Sequence, residues 1–386
     1  MNVKKNLFIL SGVWSLGRGQ GMSSVHRLLA AADQKEGCLI ITPDKNIRKE
    51  DYPNSKLFIT WWPSFNTENR YVNYLLARVW YLCSCVQVFF LCLLNIKKIG
   101  LIYANTAIPV VFVFNTIFRI PTVHRAYGTF LRVQDGFFKK ALRYEEVFIF
   151  WFRASAYIVT NDGTRGDEVA HHFGVNKKKL FFWQNGVDLI NNNESLRDKL
   201  NLSNDLVVFG TICRLVKWKR VDRCIQAFLK NKSPKNRLLI VGDGSELNSL
   251  KELAKDDKRI IFLGSVPSET ASSLMSELDV YLTLYDVSNV GNPLLEALAY
   301  GIPIITCNTG NTASIINGNN GLIFDASDER KLISSISGAI DEISENVELR
   351  KVLSLSALNF SRNNIKSWDE RISQEIKLLE KIRSEK

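Results

Sequence analysis

The order of residues predicts an α/β chain with two doubly wound parallel-sheet domains. Short apolar runs of strand length alternate with longer amphipathic stretches. The alternation breaks at Asn191-Asn192-Asn193 into a polar stretch lasting to about Asp205, and then restarts. The 386 residues, at about 150 per domain, fit two to three domains. With 46% hydrophobic and 23% charged residues the chain can fill substantial cores, which excludes a disordered, collagen-like or rod-shaped protein.

In the first half the strand candidates are 6–12, 38–42, 57–61, 101–104, 121–124, 156–160 and 180–183. After the break they are 207–212, 237–241, 260–263, 280–284 and 302–306, with helical patterns at 221–229, 246–254 and 269–278. The domains are therefore placed at 1–190 and 191–364. Residues 365–386 form one amphipathic helix, with Trp368, Ile372, Ile376, Leu379 and Ile382 on one side, expected to pack back across the domain boundary. Ligands of such sheets bind at the carboxyl ends of the strands, and two such domains would face each other across a cleft.

Residues 79–96 carry no charge and nearly reach the length of a spanning helix. Polar interruptions and the following apolar run 101–118 favour a buried helix before a core strand. An interfacial membrane helix and a true span are the alternatives. Lys4-Lys5 followed by Leu7–Leu10 imitates a signal peptide, but runs into Gly17-Arg18-Gly19-Gln20-Gly21 without a small-residue cleavage site. It reads better as a strand feeding a glycine-rich loop.

The net charge of +11 is one-sided: residues 1–200 hold 26 basic and 15 acidic side chains, and residues 201–386 hold 24 of each. Such an excess suits an anionic partner, whether nucleic acid, membrane surface or phosphorylated substrate, or simply a solvated surface. No nucleic-acid reading motif accompanies it. The seven cysteines are scattered without a Cys-x-x-Cys pair, so neither zinc nor a disulfide framework is expected, and a reducing cytosol is the natural compartment.

Ser288 to Pro303 carries a full helix grammar, with Asn292 as N-cap, Pro293 at the first position, Gly301 at the C-terminus and Pro303 beyond. A helix starting after the strand at 280–284, preceded by Gly291, offers free amides to an anion. Glu296, near that end, could accept hydrogen bonds from a ribose, or could simply compensate the helix dipole. Arg214 and Lys219 follow the strand at 207–212, where they could neutralise a diphosphate or remain solvated loop cations.

Gly210–Lys219, Gly242-Asp243-Gly244, Phe262-Leu263-Gly264 and Gly291–Glu296–Gly301–Pro303, in this order, resemble the donor domain of the family-4 retaining glycosyltransferases of the GT-B fold, the group 1 glycosyltransferases. Asn185-Gly186-Val187-Asp188 matches the segment closing the family's first domain, Gly19 and Gly21 its phosphate-facing loop, and His124 its acceptor-side histidine. The resemblance implies metal-independent transfer of a hexose from a UDP- or GDP-sugar co-substrate, without another cofactor. Arg214 and Lys219 would then stabilise the leaving diphosphate, with Glu296 on the ribose, Gly291 and Asn292 on the phosphate or sugar, and Ser265 and Val266 at the base. His124 would orient sugar hydroxyls. Ser288 stands where the family has a donor-facing glutamate, with Asp286 nearby as a possible substitute. The expected acceptor is a lipid-linked or anionic surface glycan, as in polysaccharide or lipopolysaccharide biosynthesis. The expected location is the cytoplasm, peripheral on the inner face of the plasma membrane, docked to anionic lipid and not to nucleic acid. A catalytically silent subunit that binds nucleotide-sugar or a partner enzyme is the alternative.

Overall fold

The structure, a computed structural model, describes residues 6–10, 23–61, 70–190, 196–200 and 202–385. Gly19 and Gly21 lie outside them. The chain forms two compact units, one comprising 1–161, 165–183 and 368–386, the other 162–164 and 184–367.

The first unit runs β1 (Asn6–Leu10), α1 (Ser23–Lys35), β2 (Cys38–Thr42), β3 (Lys56–Ile59), α2 (Arg70–Leu94), β4 (Ile99–Ala104), α3 (Ile108–Thr116), β5 (Thr122–Ala126), α4 (Phe137–Leu142), α5 (Tyr144–Trp151), β6 (Ala156–Thr160), α6 (Gly166–His172) and β7 (Leu180–Trp183). Its seven strands pair in parallel in the order β3-β2-β1-β4-β5-β6-β7. All six residues of β4 are buried, as expected for a strand covered on both faces.

The second unit follows with α7 (Leu196–Lys199), β8 (Val207–Ile212), α8 (Val221–Lys230), β9 (Asn236–Val241), α9 (Leu247–Ala254), β10 (Ile260–Gly264), α10 (Ser268–Ser276), β11 (Val280–Thr283), α11 (Asn292–Tyr300), β12 (Ile304–Cys307), β13 (Gly321–Phe324), α12 (Glu329–Glu345) and α13 (Val347–Asn364). Its six parallel strands are ordered β10-β9-β8-β11-β12-β13. Only β13 was absent from the sequence expectation. It is four residues of partly exposed edge after an Asn-rich turn, too short to declare itself by periodicity.

The last helix, α14 (Trp368–Ser384), returns to the first unit and lies on α1 and β4. Trp368, Ile372 and Leu379 are its buried side chains. The division between units falls after Trp183, seven residues before the sequence-derived boundary at 190, and the return begins at Trp368.

The expected burial of the apolar helix needs correction. One face of α2 does enter the core, through Trp80, Tyr81, Ser84, Val88 and Cys92. The opposite face, Leu75, Val79, Leu82, Val86 and Phe90, is exposed, with Leu82 65% accessible. A helix apolar on every side can bury only the side that meets the sheet.

Candidate functional site

In the second sheet the strand order reverses between β8 and β11, so the loops leaving these neighbours diverge and open a crevice at their carboxyl ends. The chemistry-bearing residues of this unit follow those strands.

Beyond β8 the loop is clamped to its neighbour. Cys213 N donates to Val241 O at 3.0 Å, and Leu215 N to Asp243 O at 2.9 Å. This approach requires Gly242 and Gly244: a Cβ on either would lie 1.9 Å from Cys213 O or 2.3 Å from Leu215 O. The loop then makes a single 3-10 turn, Lys217–Lys219, and passes through Arg220 in the left-handed region into α8.

Lys219 Nζ sits 3.7 Å from the ring centroid of Tyr285 and 4.1 Å from that of Trp218, a cation between two aromatic faces. Burial pushes its ammonium down to about 8, and the charge of Arg214 adds to the push. Arg214 itself is exposed. Lys219 is therefore a cation held without a full hydration shell, which raises its attraction for an incoming anion. Tyr285, the second residue after β11, is buried, and its hydroxyl lies 3.4 Å from that of Tyr281.

The loop from β11 to α11 is organised by Asn289, which is buried. Its amide accepts from Thr283 Oγ1 at 2.9 Å and from Tyr285 N at 2.9 Å, and donates to Cys307 O at 3.0 Å and Thr309 Oγ1 at 2.8 Å. Sequence reasoning passed over Asn289, Trp218 and Tyr285. An aromatic residue past each of the two switch-point strands, Trp218 flanked by two lysines and Tyr285, was the available signal.

The structure shifts the expected helix start by one residue. Gly291 is the N-cap and Asn292 the first helical residue, and no side chain caps the terminus. Asn292 Oδ1 is engaged instead, accepting from Asn185 Nδ2 at 2.8 Å. Gly301 closes the helix at φ +71°, its N–H bonded to Ala297 and Leu298 carbonyls. Glu296, the fifth residue of the helix, is half-buried, and burial alone raises its carboxyl to about 7. Ser265 and Val266 follow β10; Ser265 is exposed, and Val266 packs against the core that α10 and α11 share.

Two expectations fail here. Ser288 does not present its hydroxyl: Oγ donates to Asp162 O at 2.7 Å and accepts from Val290 N at 3.1 Å, and the residue is only 7% exposed. A Cβ on Gly163 would stand 2.1 Å from that oxygen. Asp286 is no substitute carboxylate, because it pairs with Arg220 at 3.1 Å and Arg223 at 2.9 Å. Both arginines also hold Glu329.

His124 fails as a substrate contact as well. It lies within β5 in the first unit, wholly buried, with Nδ1 2.9 Å from Ile149 O. Burial lowers its pKa to about 4, so it stays neutral in the core. The strand's alternation turns its ring towards α5. Arg214, Lys219, Gly291, Asn292 and Glu296 thus all follow the carboxyl ends of β8 and β11 in the second unit, whereas His124 is buried inside the first unit.

Residues 192–358 match the family described as glycosyl transferases group 1. An uncharacterized glycosyltransferase of Methanocaldococcus jannaschii is 26% identical over 296 residues, covering 72% of this chain and 73% of that protein. The alpha-monoglucosyldiacylglycerol synthase of Acholeplasma laidlawii is 30% identical over 142 residues, 35% of this chain and 36% of that enzyme. Among solved structures, Anabaena HepE in complex with UDP superposes with a TM-score of 0.70 at 19% identity, covering 96% of this chain and 98% of that one. Residues 192–358 thus match the group 1 glycosyl transferases, and the chain has the GT-B fold.

Proposed function

We propose that the protein transfers a hexose, with retention at the anomeric carbon, from a nucleoside diphosphate sugar to a lipid-linked or surface-polysaccharide acceptor. The observation that carries this reading is Lys219, a cation held between Trp218 and Tyr285 after β8, next to the strand β11 from which the uncapped α11 follows. As the glycosidic bond to the diphosphate breaks, negative charge grows on the leaving phosphate. Lys219, Arg214 and the first amides of α11 would meet it with charge that needs little reorganisation. Glu296, titrating near neutrality, would accept from the ribose hydroxyls once ionised. That HepE was solved with UDP, and that a relative makes a glucosylated diacylglycerol, agree with a nucleotide donor and a lipid-borne acceptor.

The alternative of a silent binding subunit rested on Ser288. It still does: Ser288, bonded to the Asp162 carbonyl, and Asp286, paired with Arg220 and Arg223, leave the position of the expected glutamate without a free carboxylate. The test is a mass-spectrometric screen of purified protein against UDP- and GDP-sugars, with and without EDTA. Turnover of one donor that survives EDTA supports the proposal; donor binding without turnover of any donor would refute it. Proton NMR of the product anomer then reads retention or inversion.

A further inference from the structure

We infer that the outer face of the helical layer formed by α2, α3 and α5 docks onto an anionic lipid surface, with α2 lying in the plane of the interface. This surface belongs to the first unit and includes none of Arg214, Lys219, Gly291, Asn292 and Glu296, so it does not depend on the transfer reading.

The exposed residues of α2 follow one another at three or four positions, from Leu75 through Val79, Leu82 and Val86 to Phe90, and so form a single straight stripe. Because its other face is locked into the sheet's core, α2 cannot cross a bilayer. It can only lie on one. The stripe is not isolated. α3 contacts α2 through Phe114 and Phe89, and Tyr81 of α2 meets Tyr144 and Phe148 of α5.

All three helices lead directly into parallel strands, α2 into β4, α3 into β5 and α5 into β6, so their carboxyl ends lie at the same edge of the sheet. At that edge Leu94 is 82% exposed, Ile117 67% and Trp151 66%. Exposed cations stand directly beside them in the chain: Lys97 and Lys98 after α2, Arg119 after α3 and Arg153 after α5. Apolar side chains rimmed by cations suit the boundary between acyl chains and anionic headgroups, where an aromatic ring such as Trp151 sits at headgroup level.

Charge chooses between a lipid surface and a second copy of the chain. From residue 69 to residue 134 there is no Asp or Glu, while Lys and Arg recur throughout; the two glutamates of α5, Glu145 and Glu146, are half-buried in its first turn, the second paired with Arg143. Two such faces brought together would confront cation with cation. An anionic bilayer neutralises them and takes the apolar stripe at the same time. A water-facing helix of a soluble domain would carry carboxylates among its lysines, and α2 carries none.

Flotation of the full-length protein with vesicles of phosphatidylcholine alone, and of phosphatidylcholine with phosphatidylglycerol, tests this. The expected result is binding to the anionic vesicles at least tenfold tighter than to the neutral ones, weakening as salt is raised. Lys97→Ala/Lys98→Ala should weaken it by about 25-fold, from roughly a fivefold contribution per cation near the surface. Leu82→Asp/Phe90→Asp should weaken it by at least about tenfold. Both pairs are exposed, so their thermal unfolding and donor turnover should match the parent. Equal partitioning onto both vesicles, binding indifferent to either pair, or a stable dimer dispersed by Leu82→Asp without vesicle binding would overturn the inference. Because donor turnover is read in the same samples, loss of vesicle binding with turnover intact separates this surface from the transfer reaction.

Discussion

In the second unit, α8 and α12 bury Cys224, Ile225, Phe228, Leu332, Ile336 and Ile340, and send Lys230 and Lys331 outwards. In the first unit, α2 buries an equivalent face and turns an apolar stripe to the outside. The sheet ends differ in the opposite sense. The second unit displays its cations there, with Arg214 exposed and Lys219 half-exposed. The first unit hides Arg125 at the end of β5, 1% exposed, 3.6 Å from Glu375 of α14 and over the ring of Tyr127. Glu375 in turn accepts from Tyr103 at 2.6 Å and pairs with Arg371 at 2.8 Å. One parallel-sheet plan therefore serves two purposes. Where charge is spent on fastening a returning helix, the sheet end is structural. Where Arg214 and Lys219 stand at the strand-order reversal, one exposed and the other half-exposed, the sheet end fits the ligand-binding role proposed above.

This contrast breaks most visibly if the second unit's cations prove dispensable. Lys219→Ala and Arg214→Ala should each lower kcat/KM by about 10²–10³-fold, the usual loss when one preorganised stabiliser of a leaving oxyanion is removed, with unfolding temperature unchanged. Steady-state kinetics beside differential scanning calorimetry checks both halves of this.

Next in size is a stability effect. Ser288→Glu should cost about 3 kcal/mol, because a longer, charged side chain must displace the Gly163 backbone and lose the bond to Asp162. Denaturant unfolding measures it. An undiminished midpoint would show that this position has room for a carboxylate after all.

The smallest effect sharpens the comparison from the side of the first unit. His124 has its pKa lowered from 6.5 to about 4, so the folded chain refuses a proton that the unfolded chain accepts. Its contribution to stability is intact above about pH 6.5 and is lost as pH falls towards 4, amounting to about 1 kcal/mol at pH 5.5. His124→Asn should flatten the acid limb of stability between those values and leave donor affinity unaltered.

The fold was legible because parallel strands covered on both faces are nearly continuous apolar runs, and twelve of the thirteen observed strands announce themselves in this way. The loops at the second sheet's carboxyl end were legible because Gly242, Gly244 and Gly301 mark backbone conformations or approaches that a side chain would spoil. Three things were not legible. Which face of α2 meets the sheet depends on packing, since the helix is apolar all round. Whether Ser288 points into the crevice or towards Gly163 is a matter of tertiary contact. His124 looked like a strand-end residue, but β5 continues to Ala126 and leaves it mid-strand, where alternation points it into the core.

The central claim is that a nucleoside diphosphate is held at the β8–β11 crevice by Lys219 and Glu296. Titration calorimetry of UDP and GDP across pH 6 to 9 tests it most directly. The account predicts affinity that falls above about 8, as Lys219 loses its proton, and below about 7, as Glu296 gains one, with the alkaline limb absent in Lys219→Ala. A parent profile flat through 8, or one that Lys219→Ala reproduces, would contradict it.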